Sequence, residues 1–471
     1  MMRSMYAGVS GLRVHQTKMD VISNNIANIN TVGFKRSSTS FKDSFNQTLA
    51  VATGATDVSG GTNAQQVGLG SNVGSVVTVH TQGAAQRTDY GSDLMIDGDG
   101  FFIIQSVDGY SFTRAGVFEV DANGNLVDAN GNYVCGWNAV EDTENPGNQK
   151  IVKDVVSPIN IYEGDKQYSP ASETTTIEFT GNFNETSSPI QKNTISFYDT
   201  QGNYYTLELT FTRYSDLNDD GSVDENSPFL DANVWAVHLP TNDLGGVNVT
   251  VNGGDTMSWN TIDIENSHIV FGTDGLIKNV DGTDATAGDT FLTLGAVDTA
   301  EIYYINPDGT LGESANIGGI VNTQQITIEM PNVTQFNSSV TLTSQTLDGN
   351  TAGAMTGYSI DGNGIISATY SNGKTKILNQ LSIANFANPA GLEKIGGNTY
   401  AASNNSGDFD LVGFEVSALG SSIQAGALEM SNVDLSFEFS EMITTQRGFQ
   451  ANSKIITTSD EMIQELVNLK R

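Results

Sequence analysis

The last stretch of the chain, Leu435 to Val467, constrains the fold more than any other. Leu435, Met442, Phe449, Ile456 and Ile463 recur at every seventh residue, and Phe439, Gln446, Ser453, Asp460 and Val467 fall between them at alternating three- and four-residue steps. That is a heptad pattern with one apolar and one partly polar seam. Proline is absent from it, and the single glycine, Gly448, costs about 1 kcal/mol of helix propensity. The pattern predicts a helix about 50 Å long at 1.5 Å per residue. Its polar seam makes a poor two-stranded zipper, so the helix needs further partners.

The opening of the chain has the same phasing. Met5, Leu12, Met19 and Ile26 recur every seventh residue, with Val9, Gln16 and Ser23 between them. The two ends therefore read as complementary halves of one helical layer. Two arrangements fit this spacing: a helix pair that closes a domain within one chain, or helices that pack against other copies and are marginal until assembled. The Asn-rich run ending at Gly33 predicts that the first helix stops between Asn28 and Gly33.

At 471 residues the chain exceeds a single core and predicts two to four domains. Acidic residues outnumber lysine and arginine 54 to 21, giving a net charge of −33. Residues 1–36 carry Arg3, Arg13, Lys18, Lys35 and Arg36 against Asp20 alone, and residues 428–471 are only slightly acidic, so the whole excess lies in the middle. Such a middle repels nucleic acid and anionic membrane and suits a solvated exterior. No window approaches the roughly eighteen apolar residues of a membrane span, and the first thirty residues lack the apolar core and cleavage site of a secretory signal. The one cysteine, Cys135, leaves no intrachain disulfide to form. It stands in a strand before Gly136 and Trp137 and reads as a buried small apolar residue.

Between the helices the chain reads as β. Phe41 to Ala64 is rich in Ser, Thr, Gly and Ala with little periodicity and reads as an irregular connector. Val73, Val76, Val77 and Val79 open the first strands, and Leu94 to Trp137 alternates short strands with turns. Asn123-Gly124 and Asn130-Gly131 between apolar alternations predict hairpins with type I′ turns. Strands continue through Thr176–Thr180, Ile195–Tyr198, Tyr204–Thr212 and Val234–His238, whereas residues 241–350 carry no recognisable motif.

Two motifs at opposite ends resemble a known family. Asn24-Asn25-Ile26-Ala27-Asn28, followed by Thr31-Val32-Gly33-Phe34-Lys35, resembles the amino-terminal signature of bacterial flagellar rod and hook proteins. Ser431-Asn432-Val433-Asp434, followed by Glu441 to Asn452, resembles their carboxy-terminal signature. The segment from Asp97 to Trp137 is similar to the first domain of the hook and distal-rod members. Tyr198 to Asn203 resembles a second-domain motif found in hook members and absent from the shorter rod members. The resemblance covers about two-thirds of the chain.

It implies a multidomain fold: long, coiled-coil-like helical termini enclosing nested, discontinuous all-β domains. The expected order is a helix over 1–32, an extended linker over 33–70 and a first β domain over 71–150. An outer β region follows over 151–355, then the returning part of the first domain over 356–427 and a closing helix over 428–471. By the same resemblance the chain is a structural subunit that self-assembles into a flexible tube and transmits torque from rod to filament. It is exported uncleaved through the flagellar type III apparatus to the cell exterior. Expected partners are other copies of itself, the distal rod, the hook cap, the hook–filament junction proteins, and the export chaperone and gate. In some relatives a hook cysteine joins a lysine of the neighbouring subunit, but Cys135 does not align with that position. The competing readings are a distal-rod subunit and, from a different class, a calcium-dependent secreted adhesin.

Asp216, Asn218, Asp220 and Asp224 occupy positions one, three, five and nine of a loop with Gly221 at six, which is the spacing of a calcium loop. Ser227 replaces the bidentate carboxylate at twelve, so the alternative is a plain acidic hairpin tip. Catalysis is not expected. His15, His80, His238 and His268 are scattered without carboxylate or cysteine at ligand spacing, and no nucleophile elbow occurs. Gly68-Leu-Gly70-Ser-Asn-Val-Gly74 misses the dinucleotide fingerprint by one residue.

Overall fold

The computed structural model describes residues 2–54, 60–107, 109–141, 149–184, 190–213, 234–239, 247–252, 254, 256–259, 264–265, 268–272, 274–278, 290–297, 302–305, 311–314, 324–346 and 348–469. The chain is mostly β, with one helix at each end. It divides into two compact units, Met1–Lys166 with Gly357–Thr369 and Thr375–Arg471, and Gln167–Thr356 with Tyr370–Lys374. The first unit is therefore interrupted in sequence by the second.

In the first unit, helix α1 spans Met2–Ala27, ending one residue before the expected stop between Asn28 and Gly33. Strands β1 (Ser37–Asp43), β2 (Asn46–Ala50), β3 (Gln65–Gly68) and β4 (Ser71–Thr78) follow. β1 pairs antiparallel with β4, and β2 with β3, making one long two-stranded ribbon where an irregular connector was expected. β2 and β3 are solvated on both faces, so their residues show none of the alternation that a half-buried strand imprints on sequence, whereas β1 and β4 have one face partly covered by α1.

The body of this unit is a sheet in the order Ile365–Tyr370, Thr375–Leu381, Tyr133–Glu141, Phe101–Ser106, Gly109–Thr113, Thr399–Ala401 and Glu393–Gly396. Phe101, Phe102, Ile103 and Ile104 are all buried, which is why that strand reads as an unbroken apolar run. On one face Phe101, Ile103, Phe112, Trp137, Phe386 and Tyr400 pack together. On the other, Phe102 meets Phe118 edge to face at 5.0 Å. Trp137 joins this core because its Nε1 donates to the Asp154 and Val412 carbonyls at 3.0 and 3.1 Å.

The Asn-Gly turns differ from the expected type I′ form, which needs positive φ at both central residues. Only Gly124 (φ 86°) and Gly131 (φ 82°) are left-handed; the asparagines before them are not. Asp121 decides the geometry of the first turn: its Oδ1 accepts from the Asn123 and Asn125 amides at 2.9 and 2.7 Å. Asp128 does the same for Asn130 and Asn132 at 2.9 and 2.8 Å. An aspartate opening the turn favours a type I turn closed by a left-handed glycine. Helix α2, Leu435–Asn468, ends the unit.

The second unit holds two sheets. One orders Ile264–Glu265, Thr290–Val297, Gln324–Phe336, Thr176–Asn184 and Thr343–Thr346, with Thr176–Asn184 running parallel to Gln324–Phe336. The other contains the antiparallel pair Ile190–Tyr198 and Tyr204–Arg213, joined by a turn in which Asp199 Oδ1 accepts from the Gln201 and Asn203 amides at 2.9 and 2.8 Å. Phe179, Phe183, Phe197, Tyr205, Phe211 and Trp235 fill its core.

Gly136 marks the tightest packing in the first sheet, since a β-carbon there would lie 2.2 Å from the Gln380 carbonyl oxygen. Gly136→Ala should cost about 1–3 kcal/mol. Hydrogen exchange over Phe101–Ser106 and Tyr133–Glu141 should accelerate correspondingly. Unchanged exchange there would contradict this packing.

Candidate assembly interface

The chain leaves α1 through a series of side-chain locks, and each residue of the amino-terminal motif has a part in them. Asn28 Nδ2 donates to the Asn24 carbonyl and to Asn24 Oδ1, both at 2.9 Å, and Asn28 Oδ1 accepts from Thr31 Oγ1 at 3.1 Å. Ala27 closes the helix. Asn25, buried, holds the first residue of β1 with two bonds: Nδ2 donates to the Ser37 carbonyl and Oδ1 accepts from the Ser37 amide, each at 2.9 Å. Gly33 is left-handed (φ 68°), and a β-carbon on it would lie 2.5 Å from the Ala115 amide nitrogen. Its own amide donates to the Glu429 carbonyl at 2.7 Å. Phe34 is buried beneath the Lys394 ammonium, 5.0 Å from its ring centre.

Lys35 completes the series at a buried ion cluster. Its ammonium donates to Glu429 Oε1 at 2.5 Å and to the Thr81 carbonyl at 2.7 Å, and both charged side chains are fully excluded from solvent. Glu429 Oε1 also accepts from the Gly83 amide at 2.9 Å, and Oε2 faces Arg114 Nη1 at 3.3 Å. Burial lowers the Lys35 pKa, opposed by Glu429. Beside the cluster, His80 is held down to about 4, first by burial and then by the cations Lys35, Arg114 and Lys394, with the Pro389 carbonyl opposing.

The carboxy-terminal motif docks on the same place. Asn432 Oδ1 accepts from the Arg36 amide at 2.8 Å, and its Nδ2 donates to the Val79 carbonyl at 2.8 Å. Asp434 then caps α2, accepting from the Ser436 and Phe437 amides at 2.8 and 3.2 Å. Arg36 reaches Glu438 at 3.3 Å.

The two helices pack antiparallel. Ser4 meets Ser459 at 3.3 Å, and Lys18 pairs with Glu441. β-Carbons on Gly8, Gly11 and Gly448 would lie 3.2 Å from Ile456, 2.8 Å from Asn452 and 2.6 Å from His15. The contact is thus built from small and polar residues, which let the backbones approach closely. Within it, Val14 and Ile22 of α1 are buried, as are Glu438, Thr445 and Ser459 of α2.

The apolar seam residues read from the heptads fall mainly beside this contact. Met5, Leu12, Met19 and Ile26 are half-buried, Val9 is exposed, and Met442, Ile456 and Ile463 are half-buried. Leu435, Phe439, Phe449 and Val467 are exposed. Phe437, Ile443, Ile455, Met462 and Leu466 of α2 are exposed as well. Sequence reading passed over Gly8 and Gly11, and it took Gly448 only as a cost in helix propensity and Asn452 only as the end of a motif, although small residues at helical spacing were visible. It also passed over Arg114 and Glu429, whose partners lie hundreds of positions away.

Asp216, Asn218, Asp220 and Asp224 lie outside the described residues. Among the described residues no group of three or more potential metal ligands converges. No helix there is long and apolar enough to cross a membrane. Cys135 is fully buried, and burial pushes its thiol up to about 12.

Four family models match the chain: flagella basal body rod protein over residues 5–35, flagellar hook protein FlgE/F/G D1 domain over 95–182, flagellar basal body protein FlaE D2 domain over 165–350, and flagellar basal body rod FlgEFG protein C-terminal over 424–469. Helical ends locked together beside interrupted β units, with these matches, define a structural protein of the flagellar rod-and-hook class. The chain is 36% identical to the flagellar hook protein FlgE of Borreliella burgdorferi and 37% identical to that of Treponema pallidum, in each case over the full length of both proteins. It is 29% identical to the flagellar basal-body rod protein FlgG of Bacillus subtilis, also over both full lengths. The chain belongs to the flagellar hook protein family.

Glu429→Gln removes the only carboxylate inside the ion cluster and should destabilise the first unit by about 3–5 kcal/mol, read as a lower urea midpoint; a midpoint equal to wild type would refute the cluster's role. His80 gives a pH signature. Its folded-state pKa lies below the ordinary 6.5, so the unfolded chain binds more protons between the two values. The contribution is fully present above pH 6.5 and is lost as pH falls towards about 4. His80→Phe should flatten the fall in urea midpoint across that window, and an unaltered slope would contradict the assignment.

Proposed function

We propose that the chain is a structural subunit of the bacterial flagellar hook, polymerising through its terminal helices into a flexible tube that transmits torque from rod to filament. The observation that carries this reading is the exposed apolar side chains along α2: Phe437 is 48% exposed, Phe439 49%, Ile443 52% and Leu466 51%. Fully burying one such side chain contributes about 1.5–3 kcal/mol, which the isolated subunit leaves unused. Large apolar side chains left exposed in this number along one helix are a feature of binding surfaces.

On this reading the heptad seams Met5–Ile26 and Leu435–Val467 pack coiled-coil fashion against helices of other copies. The small, polar α1–α2 contact holds the two helices in register without consuming their apolar surface. The acidic β units stay in contact with solvent and meet their neighbours through wetter contacts that can slide. Export through the flagellar type III apparatus delivers the subunit beyond the cell, where it joins the distal rod at one end and the junction proteins at the other.

Phe439→Ser combined with Ile443→Ser should leave the monomer's helix content and urea midpoint within about 0.5 kcal/mol of wild type, as exposed positions do, while abolishing tube formation in electron micrographs. Normal tubes from the double variant would move the polymerisation surface elsewhere.

A further inference from the structure

Next to the ion cluster, the first unit contains a cleft of about 390 Å3 lined by His80, Asp99, Phe101, Arg114, Phe386 and Pro389. Arg114 is only 4% exposed, and its guanidinium is partly committed: Nη2 donates to the Gly98 carbonyl at 2.8 Å, and Nη1 faces Glu429 and the Ile96 carbonyl at 3.3 and 3.4 Å. Its Nε–H, also buried, has no hydrogen-bond partner. The His80 ring stands edge-on to Phe101 at 5.5 Å and tilted to Tyr400 at 5.4 Å; the Pro389 carbonyl lies near enough to favour its protonation, but neither ring nitrogen makes a well-formed hydrogen bond. Leaving a buried donor unmade costs about 1–3 kcal/mol, so the cleft carries donors that gain when an acceptor enters.

The charge around the cleft selects the acceptor. Arg114 lies in its wall, and Lys35 and Lys394 are near enough to oppose protonation of His80. The counter-charge within is Glu429, whose two oxygens already serve Lys35, the Gly83 amide and Arg114. Asp99, the one carboxylate lining the cleft, is exposed. A water could satisfy one N–H but would leave this positive potential unanswered. Phe101 and Phe386 exclude solvent from the walls, which strengthens a charge-assisted bond to an incoming anion. At about 30 Å3 per water, the volume admits a small oxyanion with part of its shell.

We propose that this cleft is a binding site for a carboxylate or similarly small oxyanion, held by Arg114 Nε–H and a ring N–H of His80. The group could arrive as a free ion or as an acidic side chain of a second copy, since the chain carries 54 acidic residues.

The test is a titration of the monomeric full chain with acetate and, separately, inorganic phosphate, against sodium chloride of matched ionic strength. It is followed by ring carbon–proton NMR of the four histidines, with His80→Phe identifying the His80 signal. A saturable shift at His80, without parallel shifts at His15, His238 and His268, is the expected result. No shift, or a non-saturating drift shared by all four, overturns the site. This arm does not depend on polymerisation, so its failure is distinct from failure of the hook reading. In assembled tubes, a His80 signal already at its anion-bound position supports a neighbour's carboxylate as the source. One that moves on adding acetate or phosphate supports a solution ion, and one that stays at the free-monomer position throughout counts against the site.

Discussion

The contact between Lys35 and Glu429, 394 positions apart in sequence, is the interaction on which the rest of the first unit depends. A fully buried carboxylate or ammonium is costly unless it is paired and hydrogen-bonded. Here both conditions are met only when three segments have come together. Lys35 arrives from the exit of α1, Glu429 from the strand before α2, and Arg114 from the β sheet. The Gly83 amide and Thr81 carbonyl complete the shell. Because a half-made cluster strands a charge, the two ends of the chain are fastened to a folded β body as well as to one another. Asn25 and Asn432 extend the same logic to the backbone, pinning β1 and the run before α2.

That fastening frees the helices from having to hold themselves together by apolar packing. Their shared contact runs through Gly8, Gly11, Asn452, Gly448 and the Ser4–Ser459 pair. Small residues bring the backbones close but bury little apolar surface per turn, so the pair is ordered mainly by its anchored ends and by Lys18–Glu441. Ordered yet incompletely buried helices leave apolar surface available to further copies of the chain, as the proposed function requires. The apolar side chains that would have made a self-sufficient zipper, Phe439 and Ile443 among them, point outward.

The sequence disclosed the helices well because heptad spacing is a property of the helix itself. Their bounds, Met2–Ala27 and Leu435–Asn468, sit close to those the pattern predicted. The buried strand at Phe101–Ile104 was equally plain from its apolar run. The β2–β3 part of the ribbon was not, because strands solvated on both faces have no reason to alternate. The turns at Asn123-Gly124 and Asn130-Gly131 were located correctly but given the wrong geometry, because aspartates two residues earlier outweigh the Asn-Gly preference for type I′. Asn24 to Lys35 was recognisable as a motif while the task of each side chain was not. Lys35 in particular acquires meaning only from Glu429, Thr81 and Arg114, and nothing local to residue 35 names them. Which side chains of α2 stay exposed likewise depends on which face α1 occupies.

The central claim is that α1 and α2 are anchored but incompletely buried in the subunit and gain their full burial from other copies. Hydrogen exchange over Met2–Ala27 and Leu435–Asn468, compared between purified monomer and assembled tubes, tests it most directly. The account predicts weak protection in the monomer, strongest near the anchored ends at Asn25 and Asp434, rising to strong protection along both helices in tubes. Protection in the monomer already equal to that in tubes would contradict it, making the helices an ordinary intramolecular pair and placing the polymerisation surface on the β units.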